Sequence, residues 1–518
     1  MIKALVEKYD KRISRLLEIL PGLLTWLLLL SPIWLGLLYP SAMVYLITFL
    51  SVYWFFLAFK HTLGIVIGYN RYQKELGIDW AKECEKLDFV DLPDKQTLPN
   101  SLENTKHFVL IPAVSEPYDV LKESFDSLAL QTYPTGRITV VYTIEERYAR
   151  ETISRLDGII GNRRNLFDEI LIYVHPAGIF GEALGVGGAN RTWGARRAVD
   201  HLLSEGKIIK NYIFSSLDAD HVIHPHYLSR LTHLYLTSDK RYNRFYSTAV
   251  HLFNNNHWRV PAMMRIEANS VTLGGLSDWV VGKLATKDTF AAYSCSLQTL
   301  IDADFWDVRV GIDDSVFYWR AFFARNGDFV GTPHYIPYSA DAVEGKSYIK
   351  AYTSLYRQLL RWGWGVITIP MSIKGFLKNN NVPFSRKFAW IVKHFERFVI
   401  LINVVFLITF GFSLLTLVNP YIRQSSFAYS LPDMMSTIMT ITLIFLIPST
   451  IYRTRIAPPM PPTWPLWKKF TAFLEGPMVI LNLLTFSFFP FVEAQTRLMF
   501  GTKMKDLYHT PKLRGAEE

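Results

Sequence analysis

Two aspartates one residue apart, Asp218 and Asp220, close an apolar run over 211–217. Carboxylates at that spacing suit a hard divalent cation, Mg2+ or Mn2+, shared with substrate phosphates. The alternative is a solvated strand end, and the chain carries a second such pair in Asp302 and Asp304. Asp313 and Asp314 lie between Gly311 and a helical-looking run over 315–325. Acids there are either a helix cap favoured by the dipole or a general base that takes the proton of an attacking hydroxyl. Gln358, Arg361 and Trp362 stand at i, i+3 and i+4, which is one face of a helix. Such a face can grip diphosphate oxygens through the amide and guanidinium, with the indole as a platform for a sugar ring. The competing reading is an interfacial helix with a snorkelling arginine. Gly185, Gly187 and Gly188, followed by Asn190 and Arg191, open another helix and read either as a phosphate cradle or as a flexible loop.

These groups need a frame. Strands are expected over 107–111, 138–144, 169–174 and 211–217, and helices over 117–130, 147–159 and 189–203. That alternation predicts an α/β, Rossmann-like domain whose parallel sheet is covered on both faces. Ligands of such sheets collect past the carboxyl ends of the strands, where Asp218 and Asp220 stand. The polar stretch 70–106, with Pro93 and Pro99, reads as a linker.

Either side of this domain the texture is that of a membrane protein. No charged residue occurs from Leu20 to Phe59, enough for two spans of about 20 residues each, roughly 21–38 and 41–59, hinged at Tyr39 and Pro40. Lys3, Lys8, Lys11, Arg12 and Arg15 precede the pair and Lys60, Arg71 and Lys74 come after it, which places both ends in the cytoplasm. Residues 347–374 read as an amphipathic segment on the bilayer surface, with Tyr348, Tyr352, Tyr356, Trp362 and Trp364 at headgroup level. Further spans are expected at 398–418 and 434–452, with 419–433 outside and Arg453, Arg455, Lys468 and Lys469 inside. The last apolar run, 476–492, contains Pro477 and Pro490 and has basic residues on both sides, so re-entry is favoured over a full crossing.

The whole chain agrees. Half of its 518 residues are hydrophobic, 15% are aromatic, and the net charge is +10, which argues against a wholly soluble protein. The positive excess fits cytoplasmic loops, anionic lipid and phosphorylated substrates. No stretch is rich in Lys and Arg without apolar residues between them, so nucleic acid is not an expected partner. Cys84 and Cys295 form no metal-type pair and exclude a disulfide framework. A transporter or scaffold would bury paired acids inside its spans, and these span cores carry none.

Ile111, Pro112 and Ala113 with Glu116, then Asp218 and Asp220, Asp313 and Asp314, and Gln358, Arg361 and Trp362 occur in a recognisable order. In order and approximate spacing they resemble the membrane-embedded glycosyltransferase family 2, in its processive branch, the relatives of cellulose synthase and hyaluronan synthase. The resemblance covers almost the whole chain. It implies a GT-A catalytic domain combined with an α-helical transmembrane bundle: 1–69 for a cytoplasmic segment and two spans, 70–106 for the linker, 107–344 for the catalytic domain. Interfacial helices would come next over 345–397, then a transmembrane region over 398–492 and a cytoplasmic tail over 493–518.

The function so implied is inverting, metal-dependent transfer from a nucleotide sugar, a UDP-sugar favoured, to a growing polysaccharide at the cytoplasmic face of the cell membrane. The alternative within the family moves a single sugar to a lipid carrier or glycolipid. The resemblance assigns Asp218 and Asp220 to the metal (Mg2+ or Mn2+), with Asp220 the direct ligand, and Asp314 to the catalytic base. Gln358 and Arg361 would hold the diphosphate and Trp362 the acceptor end. Glu116, Glu145, Asp313 and Asn190, with Arg191 beside it, would contact substrate. The segment Ser294, Cys295 and Ser296 would lie beneath the acceptor sugar, or be a plain strand end. Two departures stand out. Glu145 and Glu146 occupy the place of an Asp-Asp that touches the nucleoside in the family. Ile312, Asp313 and Asp314 replace the cellulose-type Thr-Glu-Asp and are closer to the pattern of hyaluronan and chitin makers. In the tail, Thr510 and Lys512 match the gating loop of cellulose synthases.

Overall fold

The computed structural model describes residues 6–183, 187–502, 504 and 508–514. The chain opens with α1 (Asp10–Leu29) and α2 (Ser31–Leu38), bent against each other by 61°. After Tyr39, α3 (Pro40–Leu76) runs for 37 residues. It passes through the expected span and absorbs the first residues of the expected linker.

The central elements come in alternation: β1 (Lys106–Ala113), α4 (Tyr118–Ala129), β2 (Ile138–Glu145), α5 (Ala149–Ile160), β3 (Glu169–His175), α6 (Gly187–Ser204) and β4 (Tyr212–Ser216). β1 pairs in parallel with β2 and β4, and β2 with β3. Successive side chains of a strand point to opposite faces, and here both faces are filled. Phe108, Leu110 and Phe214 join Ala195 and Ala198 of α6 in one core. Val109, Ile111 and Ile213 join Leu121 of α4 and Leu156 of α5 in the other. Burial on both faces is why these strands read as nearly unbroken apolar runs.

Past β4 come β5 (Val222–Ile223), α7 (Tyr227–Thr237), β6 (Arg244–Thr248), β7 (His251–Leu252), α8 (Ala262–Val281), β8 (Tyr293–Ser296), α9 (Asp313–Ala324), β9 (Val330–His334) and β10 (Tyr338–Ser339). The main sheet has the order β3-β2-β1-β4-β8-β6-β9, and β5-β10-β7 form a smaller one. β8 runs antiparallel to both β4 and β6, so the sheet is mixed where alternation predicted a parallel one. The chain between β6 and β8 is not a plain crossover: α8 leaves the sheet to pack along α3. Gly64 and Gly68 permit that approach, since a Cβ on Gly68 would lie 2.6 Å from the Leu276 carbonyl oxygen and one on Gly64 would run into Ser277.

The remainder is helical: α10 (Tyr348–Gly363), α11 (Thr368–Lys378), α12 (Phe384–Phe395), a π turn over Glu396–Ile400, α13 (Leu401–Val418), α14 (Ser426–Leu443), α15 (Leu446–Ile456), α16 (Leu466–Leu474), α17 (Val479–Leu484) and α18 (Phe489–Met499). Among the described residues, four stretches are long and apolar enough to cross a membrane: Pro40–Leu76, Phe384–Val418, Ser426–Ile456 and Val479–Met499; the bent pair α1–α2 makes a fifth if it counts as one. α14 takes in the second half of the expected outer loop, Pro432 included. Proline is tolerated inside apolar membrane helices because neighbours re-satisfy the freed backbone.

Candidate active site

β1, β2 and β4 end on one side of the sheet, and the turn after β4 carries Asp218 and Asp220. The two differ in setting: the side chain of Asp218 is 43% exposed and that of Asp220 only 8%. His221 closes the turn. Its Nδ1 accepts a hydrogen bond from the Asp218 backbone N–H at 3.0 Å, which assigns its proton to Nε2, 3.7 Å from Asp218 Oδ2. One potential ligand atom from each of Asp218, Asp220 and His221 lies within 4.8 Å of the others. With the imidazole proton turned towards Asp218, the donor set is two carboxylates, which suits a hard, oxygen-seeking ion such as Mg2+ or Mn2+.

Asp220 is already matched with a cation. Its Oδ2 accepts from the Lys512 ammonium at 2.5 Å and from the Asp341 backbone N–H at 2.9 Å. Burial disfavours the charged carboxylate, but the Lys512 ammonium, helped by the Asp341 N–H, outweighs it and holds Asp220 well below the ordinary carboxylate range. The ion pair likewise raises Lys512 against the burial that would lower it. A site that accommodates an ammonium on this oxygen has the electrostatics for a divalent ion.

Arg191, buried in the first turn of α6, ties the acids together. Its Nη2 lies 2.5 Å from Asp218 Oδ1, its Nη1 pairs with Asp313 Oδ2, and Asp314 Oδ1 is 4.0 Å away. Gly187 and Gly188 make room for this, because a Cβ on either would sit 3.0 to 3.2 Å from atoms of Asp313. They bring the starts of α6 and α9 together; Gly185 of the expected cradle lies outside the described residues.

Asp313 and Asp314, adjacent in sequence, have opposite surroundings. Asp313 is engaged by Arg191. Asp314 Oδ1 is buried without a hydrogen-bond partner among the described residues. Burial, then the charge of Asp313, raise the Asp314 carboxyl far above the usual range, with Arg191 opposing. Arg361 on α10 faces the same cluster: burial lowers its pKa while Asp218, Asp313 and Asp314 work in the other direction.

The other expected residues surround this cluster. Gln358 and Trp362 line one cavity together with Asp341, Gln358 Nε2 reaches Thr510 Oγ1 at 3.4 Å, and Trp362 meets Phe290 edge-on at 6.1 Å between ring centroids. Glu116 accepts from the Val114 N–H at 2.6 Å and faces His509 Nε2 at 3.8 Å; burial pushes its carboxyl up to about 7. Glu145, at the end of β2, is bridged to Arg147 at 2.8 Å. Asn190 donates to the Thr143 carbonyl at 3.0 Å, next to that strand end, and its own Oδ1 has no partner among the described residues. Ser294 and Cys295 lie inside the sheet in β8, with Ser294 bonded to Ser215 at 2.7 Å.

No protein-family model matches the chain, and no curated protein does. Solved structures similar to it include a mannosyltransferase from Pyrobaculum calidifontis in complex with GDP-mannose and Mn2+, at 13% identity and a TM-score of 0.43, covering 86% of this chain and 99% of that one. TarS from S. aureus in complex with UDP is another, at 10% identity and a TM-score of 0.35, covering 77% of this chain and 92% of that one. Likenesses of this size settle neither family nor substrate.

Two residues of the site had no forecast role. His221 orients Asp218; its place directly after the acid pair was the available signal. Asp341 was the other. The tail, where Thr510 and Lys512 resemble a gating loop, reaches the same acids. Tyr508 donates to Ser354 at 2.8 Å, the Leu513 N–H to Glu344 at 2.9 Å, and Arg514 pairs with Asp341 and Glu123. The segment 508–514 thus lies across the acids as a strap. Leu507, the first residue of the gating-loop likeness, is outside the described residues.

Proposed function

We propose that the chain is an inverting membrane glycosyltransferase of the GT-A type, in the processive branch of family 2, acting at the cytoplasmic face. The observation that carries this is Asp314: a half-buried carboxyl whose Oδ1 has no hydrogen-bond partner among the described residues, beside a two-carboxylate cation site and an arginine. That combination provides a base next to a place for a diphosphate. Asp218 and Asp220 would hold a divalent ion, which when bound supplies positive charge for the diphosphate. Arg361 and Gln358 grip the same diphosphate, and Arg361 opposes the negative charge that grows on the leaving group, the kind of electrostatic stabilisation that dominates such reactions. The acceptor hydroxyl oxygen forms a bond to the anomeric carbon from the face opposite the leaving group. The carbon–oxygen bond to the diphosphate breaks, its electron pair leaves with the nucleoside diphosphate, and the hydroxyl proton goes to Asp314. Configuration inverts in one step and no covalent enzyme intermediate is needed. Glu116, Glu145 and Asn190, at the ends of β1 and β2 and the start of α6, border the nucleoside.

The test is to purify the chain, offer UDP- and GDP-sugars with Mg2+ or Mn2+, and record nucleoside diphosphate release and product size. A polymer supports the processive reading, and a single-sugar lipid adduct replaces it with transfer to a lipid carrier. No release from any donor removes the glycosyltransferase reading.

A further inference from the structure

The small sheet β5-β10-β7 is built from three strands of two residues each, and none of its residues has a part in the proposed reaction. Strands so short contribute little by pairing alone. Their side chains, however, form a row of rings that ends at the acid turn. Tyr338 of β10 stands opposite His251 of β7 in one pairing and opposite Ile223 of β5 in the other. His221 directly precedes β5. Its ring lies on that of Tyr338, with 4.2 Å between centroids and 38° between planes. Tyr338 Oη in turn is 2.9 Å from His251 Nδ1. All three rings are buried. Burial, with His221 nearby, pushes His251 down to about 3, so its imidazole is neutral and keeps one nitrogen as an acceptor.

The row is fixed at its far end by α8. A Cβ on Gly275 would lie 2.9 Å from His251 Cδ2 and 3.0 Å from the Ala249 carbonyl oxygen, and Thr272 Oγ1 donates to the His251 carbonyl. The next two residues of α8, Leu276 and Ser277, are those that meet α3 at Gly68 and Gly64. At its near end the row reaches Asp218, whose backbone N–H donates to His221 Nδ1. An imidazole nitrogen accepts close to its ring plane, so the tilt of the ring decides where that N–H can stand. The side chain of Asp218 is 43% exposed, so packing does little to aim it and the backbone bond counts for more. The same sheet steadies Asp220. Asn255, just past β7, donates to the Asp220 carbonyl at 3.0 Å and to the Ser339 carbonyl of β10 at 3.3 Å.

We propose that Tyr338 and His251 are positioning residues for the cation site: their hydrogen bond holds the His221 ring at the tilt that places Asp218 for a divalent ion. Both act through His221 and take no part in bond making or breaking. The assignment rests on the glycosyltransferase reading above.

The test uses the full-length chain in detergent or nanodiscs with UDP, GDP and Mn2+. Bound Mn2+ is read from the loss of the free-ion signal in electron paramagnetic resonance, and nucleoside diphosphate binding from calorimetry; neither needs turnover. Tyr338→Phe keeps the ring and its stacking and removes one oxygen. It is expected to raise the Mn2+ concentration for half-maximal binding by about tenfold, the low end of what losing an outer partner of a metal ligand costs. Nucleoside diphosphate binding in EDTA should stay within about twofold, because the contacts made without metal are untouched. His251→Phe should match Tyr338→Phe, and the double variant should be no worse than either, since both delete the same bond. His251→Asn keeps a polar atom near the place of Nδ1 and should bring the Mn2+ requirement back to within about threefold of wild type.

An unchanged Mn2+ requirement in Tyr338→Phe would overturn the assignment. So would equal losses with and without metal, which is what a general loosening of the core produces. Should His251→Phe misfold, Tyr338→Phe decides the matter by itself. A wild-type chain that binds neither UDP nor GDP at any Mn2+ concentration removes the cation site and the parent reading together, before any variant is compared.

Discussion

Asp313 and Asp314 are chemically identical neighbours, and the fold gives them different work by hydrogen-bonding Arg191 to Asp313 while Asp314 Oδ1 stands 4.0 Å from it. Asp314 retains the free oxygen, so Asp314→Asn is expected to lower turnover by about 10²–10⁴-fold, with nucleotide binding measured by calorimetry unchanged. The pH profile carries a second expectation. The Asp314 carboxyl is raised by burial and by Asp313, so its basic form appears, and the rate climbs, only as pH rises through that elevated value. Asp313→Asn removes the negative neighbour, lowers that value, and should move the acid limb of kcat/KM to lower pH; a limb that stays put or moves up would show that another group titrates. Lys512 supports a third. Its ammonium holds the Asp220 oxygen that a divalent ion would need. Lys512→Met should therefore lower the Mn2+ concentration for half-maximal nucleotide binding, by about tenfold if the ion pair is worth about 1.4 kcal/mol. Residue types and spacing were legible because each pair of acids and the Gln-Arg-Trp face are local. Arg191 pairing with Asp313 was not, since 122 residues separate them.

At the scale of elements, what the sequence conveys is local periodicity, and what it withholds is which distant element an apolar face will meet. The strands from β1 to β4 were readable because each is a short apolar run bounded by turns. The antiparallel return of β8 was not, because it depends on α8 docking along α3, a contact set by Gly64 and Gly68 and visible only in three dimensions. The same docking explains why α3 extends so far into the expected linker. Gly68→Val should separate the two helices and cost about 1–3 kcal/mol, as overpacking of a tight contact does; the melting temperature in detergent would read it. A melting temperature equal to wild type would mean that α3 and α8 do not bear on each other in solution. α16 lies where Lys468 and Lys469 point to a cytoplasmic loop, yet it is helical. Its Leu466, Trp467, Phe470, Phe473 and Leu474 are all exposed, an arrangement suited to lying in a bilayer surface with the two lysines at its edge.

At the scale of the whole molecule, contacts to the sheet domain bear on how often the chain crosses the bilayer. Val479–Met499 is 21 residues long and apolar enough to cross, yet the segments on either side of it both touch the catalytic half. Before it, Trp258 Nε1 donates to the Pro458 carbonyl at 3.1 Å, and Arg265 Nε lies 3.1 Å from Glu475 Oε2. After it, Lys512 pairs with Asp220 at 2.5 Å. Arg15, near the start of α1, also donates to the Leu498 carbonyl at 2.9 Å. A segment whose two ends lie in one compartment enters and returns, and the break between α17 and α18 at 485–488 is where it would turn. Non-helical backbone at that depth is acceptable when protein covers it, and Phe486 and Phe491 pack against the Trp362 cluster there. On the proposed re-entrant reading the crossings would be α1–α2, α3, α13 and α14–α15, an even number. Both native cysteines are buried, so a single exposed cysteine can report on topology. A membrane-impermeant maleimide applied to intact cells should label Gln424→Cys, in the turn between α13 and α14, and should reach Thr502→Cys only after permeabilisation. Labelling of Thr502→Cys from outside would make Val479–Met499 a true crossing, and the tail could then not reach Asp220.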